Sequence, residues 1–221
     1  MDFHGSTKPS GLERTWPNIL GYEAVAGMEQ SKGGMRDNPV HHVTLPFTRM
    51  IAGPMDYTPG AFDNVTRDEF IPNMTNTMVM GSRAHQLAMY VVYQAASQMV
   101  SDWPGNYEGQ PEFQFIKDVP ATWDETKFQN GEPGEFITIA RRSGDDWYLG
   151  AMTDWTPREL NVPLSFLGQG KYSTGIYADA PDADKSPKHI VISKPTVERS
   201  TVLKLKLAPG GGCAVRFTPK H

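Results

Sequence analysis

The hydrophobic period changes near residue 120, and this change limits what the chain can fold into. Beyond it, apolar and polar residues alternate in short runs, at 136–140, 147–152, 160–166, 172–177, 189–192, 202–207 and 213–217. A period of two marks strands with one face buried and the other solvated. Leu203, Leu205 and Leu207 alternate with Lys204 and Lys206, the pattern of a half-buried antiparallel strand. Turn residues at 131–134, 142–145 and 209–212 punctuate the runs, the last read as a hairpin. The expectation for residues 121–221 is an antiparallel β-sandwich.

Residues 1–120 read differently. Apolar strand ends fall at 1–4 and 18–25, and a third strand is expected at 51–57. Val43, Phe47 and Met50 lie at helical spacing, with Pro46 in a first turn or breaking the helix. Ser82 is a good N-cap for a helix over 83–92, whose apolar stripe is Ala84, Leu87, Ala88 and Val91. A linker containing a short helix at 111–117 follows, with the boundary near Pro120. Strand and helix in alternation predict a parallel sheet with crossover helices. The fold class is therefore α/β followed by all-β.

Composition excludes several functions. A net charge of −4 gives no footprint for nucleic acid, and no apolar run approaches membrane-spanning length. The single cysteine, Cys213, cannot form an internal disulfide. No phosphate-cradling glycine motif, Cys/His metal spacing or nucleophile elbow is present. No charged n-region followed by an apolar stretch opens the chain, so no signal peptide is expected. Met1-Asp-Phe-His-Gly5 reads as the end of a buried strand, which suggests that sequence precedes it.

The chemistry concentrates at residues 18–29. Glu23 and Glu29 stand six residues apart, roughly 20 Å in a continuous strand. Paired hydrolytic carboxylates lie about 5–10 Å apart, so one site using both acids needs a chain reversal near Ala26-Gly27. Gly27 would permit it by adopting angles closed to other residues. His4, Gly5, Glu23, Glu29 and Asp56 all fall at or just beyond strand ends, where sites form in parallel α/β folds.

The blocks Asp2-Phe-His-Gly5, Lys8-Pro-Ser-Gly-Leu-Glu-Arg-Thr-Trp-Pro-Asn18, Tyr22-Glu-Ala-Val-Ala-Gly-Met-Glu29, Leu45 through Gly60 and Thr122-Trp-Asp-Glu-Thr126 follow one another in order. The series resembles glycoside hydrolase family 97, calcium-dependent α-glycosidases, over essentially the whole chain. The resemblance implies that residues 1–120 are the last three βα units of a (β/α)8 barrel and 121–221 a terminal β-sandwich. It implies that Glu29 is the general acid and lies near calcium, that Glu23 is a calcium ligand, and that His4 contacts the scissile sugar. Gly5 stands where inverting members carry a glutamate base. The resemblance is thus to the retaining branch, which includes α-galactosidases, with the nucleophile on an earlier strand preceding residue 1. An α-linked oligosaccharide or galactoside is the implied partner, and the periplasm or exterior the implied location.

Other residues keep two readings. Asp56 between Pro54 and Pro59 suits a structural turn or a substitute carboxylate, and Lys8 and Arg14 suit hydroxyl contacts or carbonyl caps. Trp16 and Trp123 suit sugar stacking or packing, while Asp124 and Glu125 suit hydrogen bonds at the domain junction. The alternative function is a β-sandwich interaction or oligomerisation module with an inactive barrel fragment, self-associating through the open barrel edge.

Overall fold

A computed structural model describes residues 1–220. The first half holds seven named elements: β1 (Asp2–Phe3), β2 (Gly21–Tyr22), α1 (Pro39–Thr44), β3 (Asn64–Val65), β4 (Val79–Met80), α2 (Arg83–Val92) and α3 (Phe113–Asp118). β1 pairs with β2 and β3 with β4, both parallel, and Tyr22 bridges to Met55 in the same sense. The parallel sense matches the sequence expectation, but each strand is two residues long.

Two expectations need correction. Residues 51–57 are not a strand: a 3-10 turn, Arg49–Ala52, runs into Gly53 (φ 127°), leaving only the Met55 bridge. Pro54 fixes its own φ and offers no N–H, so pairing cannot start earlier. The helix expected over 42–50 is α1, which begins sooner because Asn38 accepts from the Val40 and His41 N–H groups and Pro39 occupies the first turn. Pro46 cannot continue its ladder, and the chain passes through 3-10 turns at Leu45–Phe47 and Arg49–Ala52.

α2 forms as expected. The Ser82 hydroxyl accepts from the His85 N–H at 3.1 Å and donates to Asp179 at 2.5 Å, capping the helix and tying it to the second half. All ten residues of α2 are buried, so the helix has no solvent face and its amphipathic stripe is only part of what it covers. Its charged residue is fully partnered. Arg83 donates to Glu112 at 2.6 Å, Gln110 at 2.8 Å and the Phe62 carbonyl at 2.6 Å, and lies 4.5 Å from the Phe62 ring centroid.

The second half contains nine strands: β5 (Glu125–Glu132), β6 (Phe136–Ser143), β7 (Asp146–Thr153), β8 (Arg158–Pro163), β9 (Lys171–Asp179), β10 (Ile190–Ser193), β11 (Thr196–Glu198), β12 (Val202–Leu207) and β13 (Gly212–Pro219). The main sheet runs β10-β9-β13-β7-β6-β5, with β11 also pairing β9, and is antiparallel throughout. β8 and β12 form a separate antiparallel pair. Between the two sheets lies a core that includes Leu149, Val162, Leu205, Val215 and Phe217. Residues 209–212 are therefore not a hairpin: they carry the chain from one sheet to the other.

α2 packs on the opposite face of the main sheet. Ile137, Ile139 and Met152 join Val43, Tyr57, Ala88, Met89 and Val92 in one core, and Tyr148, Tyr177 and Ala214 join Leu87, Tyr90 and Val91 in another. The approach is close enough to require glycine. A Cβ at Gly150 would sit 2.7 Å from the Ala88 carbonyl oxygen, and one at Gly212 would sit 2.6 Å from the His85 Cα. The architecture is thus a mixed α/β part seated by α2 on one large antiparallel sheet.

Candidate active site

The ends of β1 and β2 and the bridge at Met55 converge on a cavity of about 450 Å³. Its lining includes His4, Glu23, Glu29, Asp56, Tyr57 and Trp103. His4, Glu23 and Glu29, singled out from sequence, therefore share one cavity beyond the carboxyl ends of the parallel strands.

Register places the first two. The Glu23 N–H donates to the Phe3 carbonyl at 2.8 Å, which sets Glu23 beside His4. The Glu23 carboxylate then accepts from the Gly5 N–H at 2.7 Å and lies 4.0 Å from His4 Nδ1. Asp56 joins them because its N–H bonds the Tyr22 carbonyl at 3.2 Å. His4 Nε2 donates to Asp56 Oδ2 at 2.5 Å, and the Thr58 hydroxyl donates to the other Asp56 oxygen at 2.9 Å. The hydrogen bond to Asp56 raises the His4 pKa above its ordinary value, with the nearby carboxylates adding to it, and together they outweigh desolvation.

Arg49 fixes this arrangement from beneath, and sequence reasoning missed it. Its guanidinium donates to the carbonyls of Tyr22 at 2.9 Å, Glu23 at 3.3 Å, Ala24 at 3.1 Å, Gly53 at 3.0 Å and Pro54 at 3.0 Å. Three of these carbonyls crowd one terminal nitrogen, so its two N–H bonds are shared among them, and the planar fork reaches carbonyls on both segments in a way no lysine could.

The chain does reverse between Glu23 and Glu29, though not as expected. Gly27 is extended (φ −85°, ψ −172°), while Ala24 takes the positive angle (φ 37°). Gly27 is needed for space. A Cβ there would lie 2.9 Å from the Tyr57 carbonyl oxygen, which accepts the Met28 N–H at 3.0 Å. A 3-10 turn, Met28–Lys32, follows and presents Glu29 to the cavity from an exposed position.

Behind that turn is a buried polar cluster. Ser31 donates to Asp37 at 2.6 Å, His42 Nε2 lies 2.8 Å from Asp37, and the Tyr57 hydroxyl also donates to Asp37. The only sequence signal for it was polar residues, among them His42 and His85, within otherwise apolar segments.

The remaining candidates lie away from this cavity. Lys8, Arg14, Trp16 and Trp123 do not line the cavity. Trp123 packs edge-on against Tyr148, 5.4 Å between centroids. Asp124 and Glu125 pair with Arg142 at 3.3 and 3.4 Å. Among the described residues no group of three or more His, Cys, Asp or Glu side chains could hold a metal ion. Glu23 and Glu29 alone do not complete the calcium site that the resemblance implies, since calcium takes about 6–8 oxygens.

Acids and an imidazole at the carboxyl ends of parallel strands, beside an antiparallel sheet, suit recognition and acid–base chemistry on hydroxylated ligands. Residues 122–218 match the family described as glycosyl-hydrolase 97 C-terminal, oligomerisation. Residues 122–218 thus belong to the C-terminal region of glycoside hydrolase family 97. It is 40% identical over 220 residues, 98% of its length, to a retaining alpha-galactosidase of Bacteroides thetaiotaomicron, covering 33% of that protein. It superimposes with a TM-score of 0.90 and 40% identity on a family 97 enzyme of Pseudoalteromonas sp. strain K8 solved with panose, covering 100% of this chain and 35% of that one. A beta-arabinopyranosidase structure aligns at a TM-score of 0.81 and 28% identity, over 97% of this chain and 34% of its own. The chain spans about a third of the length of the relatives it matches.

Proposed function

We propose that the chain is the C-terminal portion of a retaining α-glycosidase, most specifically an α-galactosidase, and supplies its general acid. The observation that carries this reading is that His4, Glu23 and Glu29 line one cavity beyond parallel strand ends. The short parallel pairs β1/β2 and β3/β4 are read as the last strands of a (β/α)8 barrel, residues 1–120, and residues 121–221 as its terminal sandwich.

In this reading Glu29 protonates the departing glycosidic oxygen and then takes a proton from water, as retaining hydrolysis requires. Its exposed place on the cavity wall leaves it free to reach a substrate oxygen. His4, its pKa raised by the hydrogen bond to Asp56, donates from its other ring nitrogen to a sugar hydroxyl. Gly5, with no side chain, supports the retaining assignment, with the nucleophile supplied by sequence preceding residue 1. Glu23 and Glu29 would supply two of the oxygen donors a calcium ion needs, and bound calcium would fix sugar hydroxyls and lower the pKa of acids it touches. Periplasmic or secreted location rests on the family resemblance and is checked by cell fractionation.

The test is hydrolysis of nitrophenyl α-galactoside and α-glucoside by the complete protein carrying this chain. Glu29→Gln is expected to lose most of the rate on poor leaving groups; retention of the rate removes the assignment.

A second reading, a self-associating module without activity of its own, is supported by the description of the family matched over residues 122–218. Turnover by the isolated chain would defeat it, and light scattering after size exclusion reports the association.

A further inference from the structure

We infer that Asp37, which touches neither cavity nor substrate, is a positioning residue for Glu29, gripping the turn that carries it from both sides. The inference rests on the reading of Glu29 as general acid.

Asp37 and Ser31 are essentially inaccessible, at 1% and 0% exposure, so water does not substitute for their bond. Ser31 lies two residues after Glu29 in the same 3-10 turn, and its hydroxyl donates to Asp37 Oδ2 at 2.6 Å. The other oxygen of Asp37 accepts from the Tyr57 hydroxyl. Tyr57 in turn accepts the Met28 N–H through its own carbonyl at 3.0 Å, at the start of that turn. One carboxylate therefore holds both ends of the segment presenting Glu29. Burial keeps the Tyr57 phenol protonated, raising its pKa well above the ordinary value, so it remains a donor. Burial alone would raise the Asp37 pKa, but His42 and three hydrogen bonds outweigh it and keep the acid ionised.

The grip is anchored in the sandwich. His85 Nδ1 lies 3.0 Å from the Gly211 carbonyl, which can only accept, so that nitrogen carries the hydrogen. Burial lowers the His85 pKa to about 3, leaving Nε2 a bare acceptor. His42 Nδ1, 3.1 Å away, must then donate to it, and His42 Nε2 meets Asp37 at 2.8 Å. The line Gly211–His85–His42–Asp37–Ser31 runs from the sheet crossover to the turn beside Glu29. Most of the enclosed side chains along it are satisfied, as a network that specifies one geometry requires.

The experiment compares Asp37→Asn with wild type in the complete glycosidase, using an unactivated alkyl α-glycoside and the dinitrophenyl α-glycoside of the same sugar. A poor leaving group needs the acid and a dinitrophenolate does not, whereas loss of folded protein lowers both rates alike. Asp37→Asn is expected to lower kcat/KM on the alkyl substrate by up to about 100-fold, the scale of an ångström-sized misplacement, with kcat/KM for the dinitrophenyl substrate little changed, because this ratio reports the steps up to leaving-group departure and not the later one in which Glu29 activates water. Equal losses on both, or no loss, would overturn the inference. Ser31→Ala removes one link while leaving Asp37 bound by Tyr57 and His42, and should give the same pattern in smaller measure even if Asp37→Asn fails to fold. Glu29→Gln run alongside separates the claims. Should it lack leaving-group dependence, the acid assignment itself fails; should it show it while both Asp37→Asn and Ser31→Ala do not, only the positioning role fails.

Discussion

His4 Nε2 sits 2.5 Å from Asp56 Oδ2, joining the end of the first strand to the loop after the Met55 bridge across 52 residues of sequence. The pair shifts a cavity-lining imidazole toward its protonated form. The His4 midpoint, followed by NMR, is expected above the ordinary value of about 6.5 and should fall back toward it in Asp56→Asn. Because the folded pKa is raised, any stability from the pair is complete below the unfolded value and disappears as pH rises through the folded midpoint. Activity that depends on charged His4 should decline over that same upper window.

Gly27→Ala tests space rather than backbone angle. The new methyl would lie 2.9 Å from the Tyr57 carbonyl oxygen and must push the Met28 bond apart. A loss of about 1–3 kcal/mol in urea denaturation is expected, as for overpacked interiors. In the complete enzyme, kcat should fall with it, since Glu29 moves with Met28.

Glu112 neutralises Arg83 at the first turn of α2, with both side chains buried. Glu112→Ala strands the guanidinium and should cost about 3–5 kcal/mol. Glu112→Gln keeps an acceptor and should cost less. Chemical denaturation of the 221-residue chain distinguishes the two.

Asp179 gives a pH signature in the second half. Burial pushes its carboxyl up to about 6, against hydrogen bonds from Ser82, Ala208 and Gly212. With the folded value raised, its contribution is full below the unfolded pKa and lost as pH rises through about 6. Asp179→Asn can keep the two N–H bonds through its oxygen, while its amide faces Ser82 as a donor and reverses the sense of that bond. Between pH 4 and 7 the stability difference should move by about 2 kcal/mol in favour of the variant.

The parts of the fold legible in sequence were those with strong local signals. Ser82 before an apolar ten-residue run marked α2, and the Leu/Lys alternation marked β12. β5 was missed because Glu125–Glu132 carries a single large apolar residue, Phe128, and finds its place only by pairing with β6. The third parallel strand failed for the opposite reason: apolar residues there serve short turns fixed by Arg49, a long-range contact without local pattern.

The site divides in the same way. His4, Glu23 and Glu29 stood out as polar residues at apolar strand ends, and they share a cavity. His85 lies 43 residues from His42, which bonds Asp37 five residues before it, and only folding reveals that the three touch. The glycine between the two glutamates was noticed for the wrong property, because spatial crowding by Tyr57 is invisible in one dimension.

That α2 has no exposed residue governs how this molecule could deform. A helix enclosed on one side by the cavity-bearing half and on the other by the main sheet is a keystone, and Gly150 and Gly212 leave it no clearance to slide. Bending between the halves would have to crack an apolar interior rather than flex a tether. Any force applied to the outer strands would thus be felt at the cavity wall as a rigid displacement.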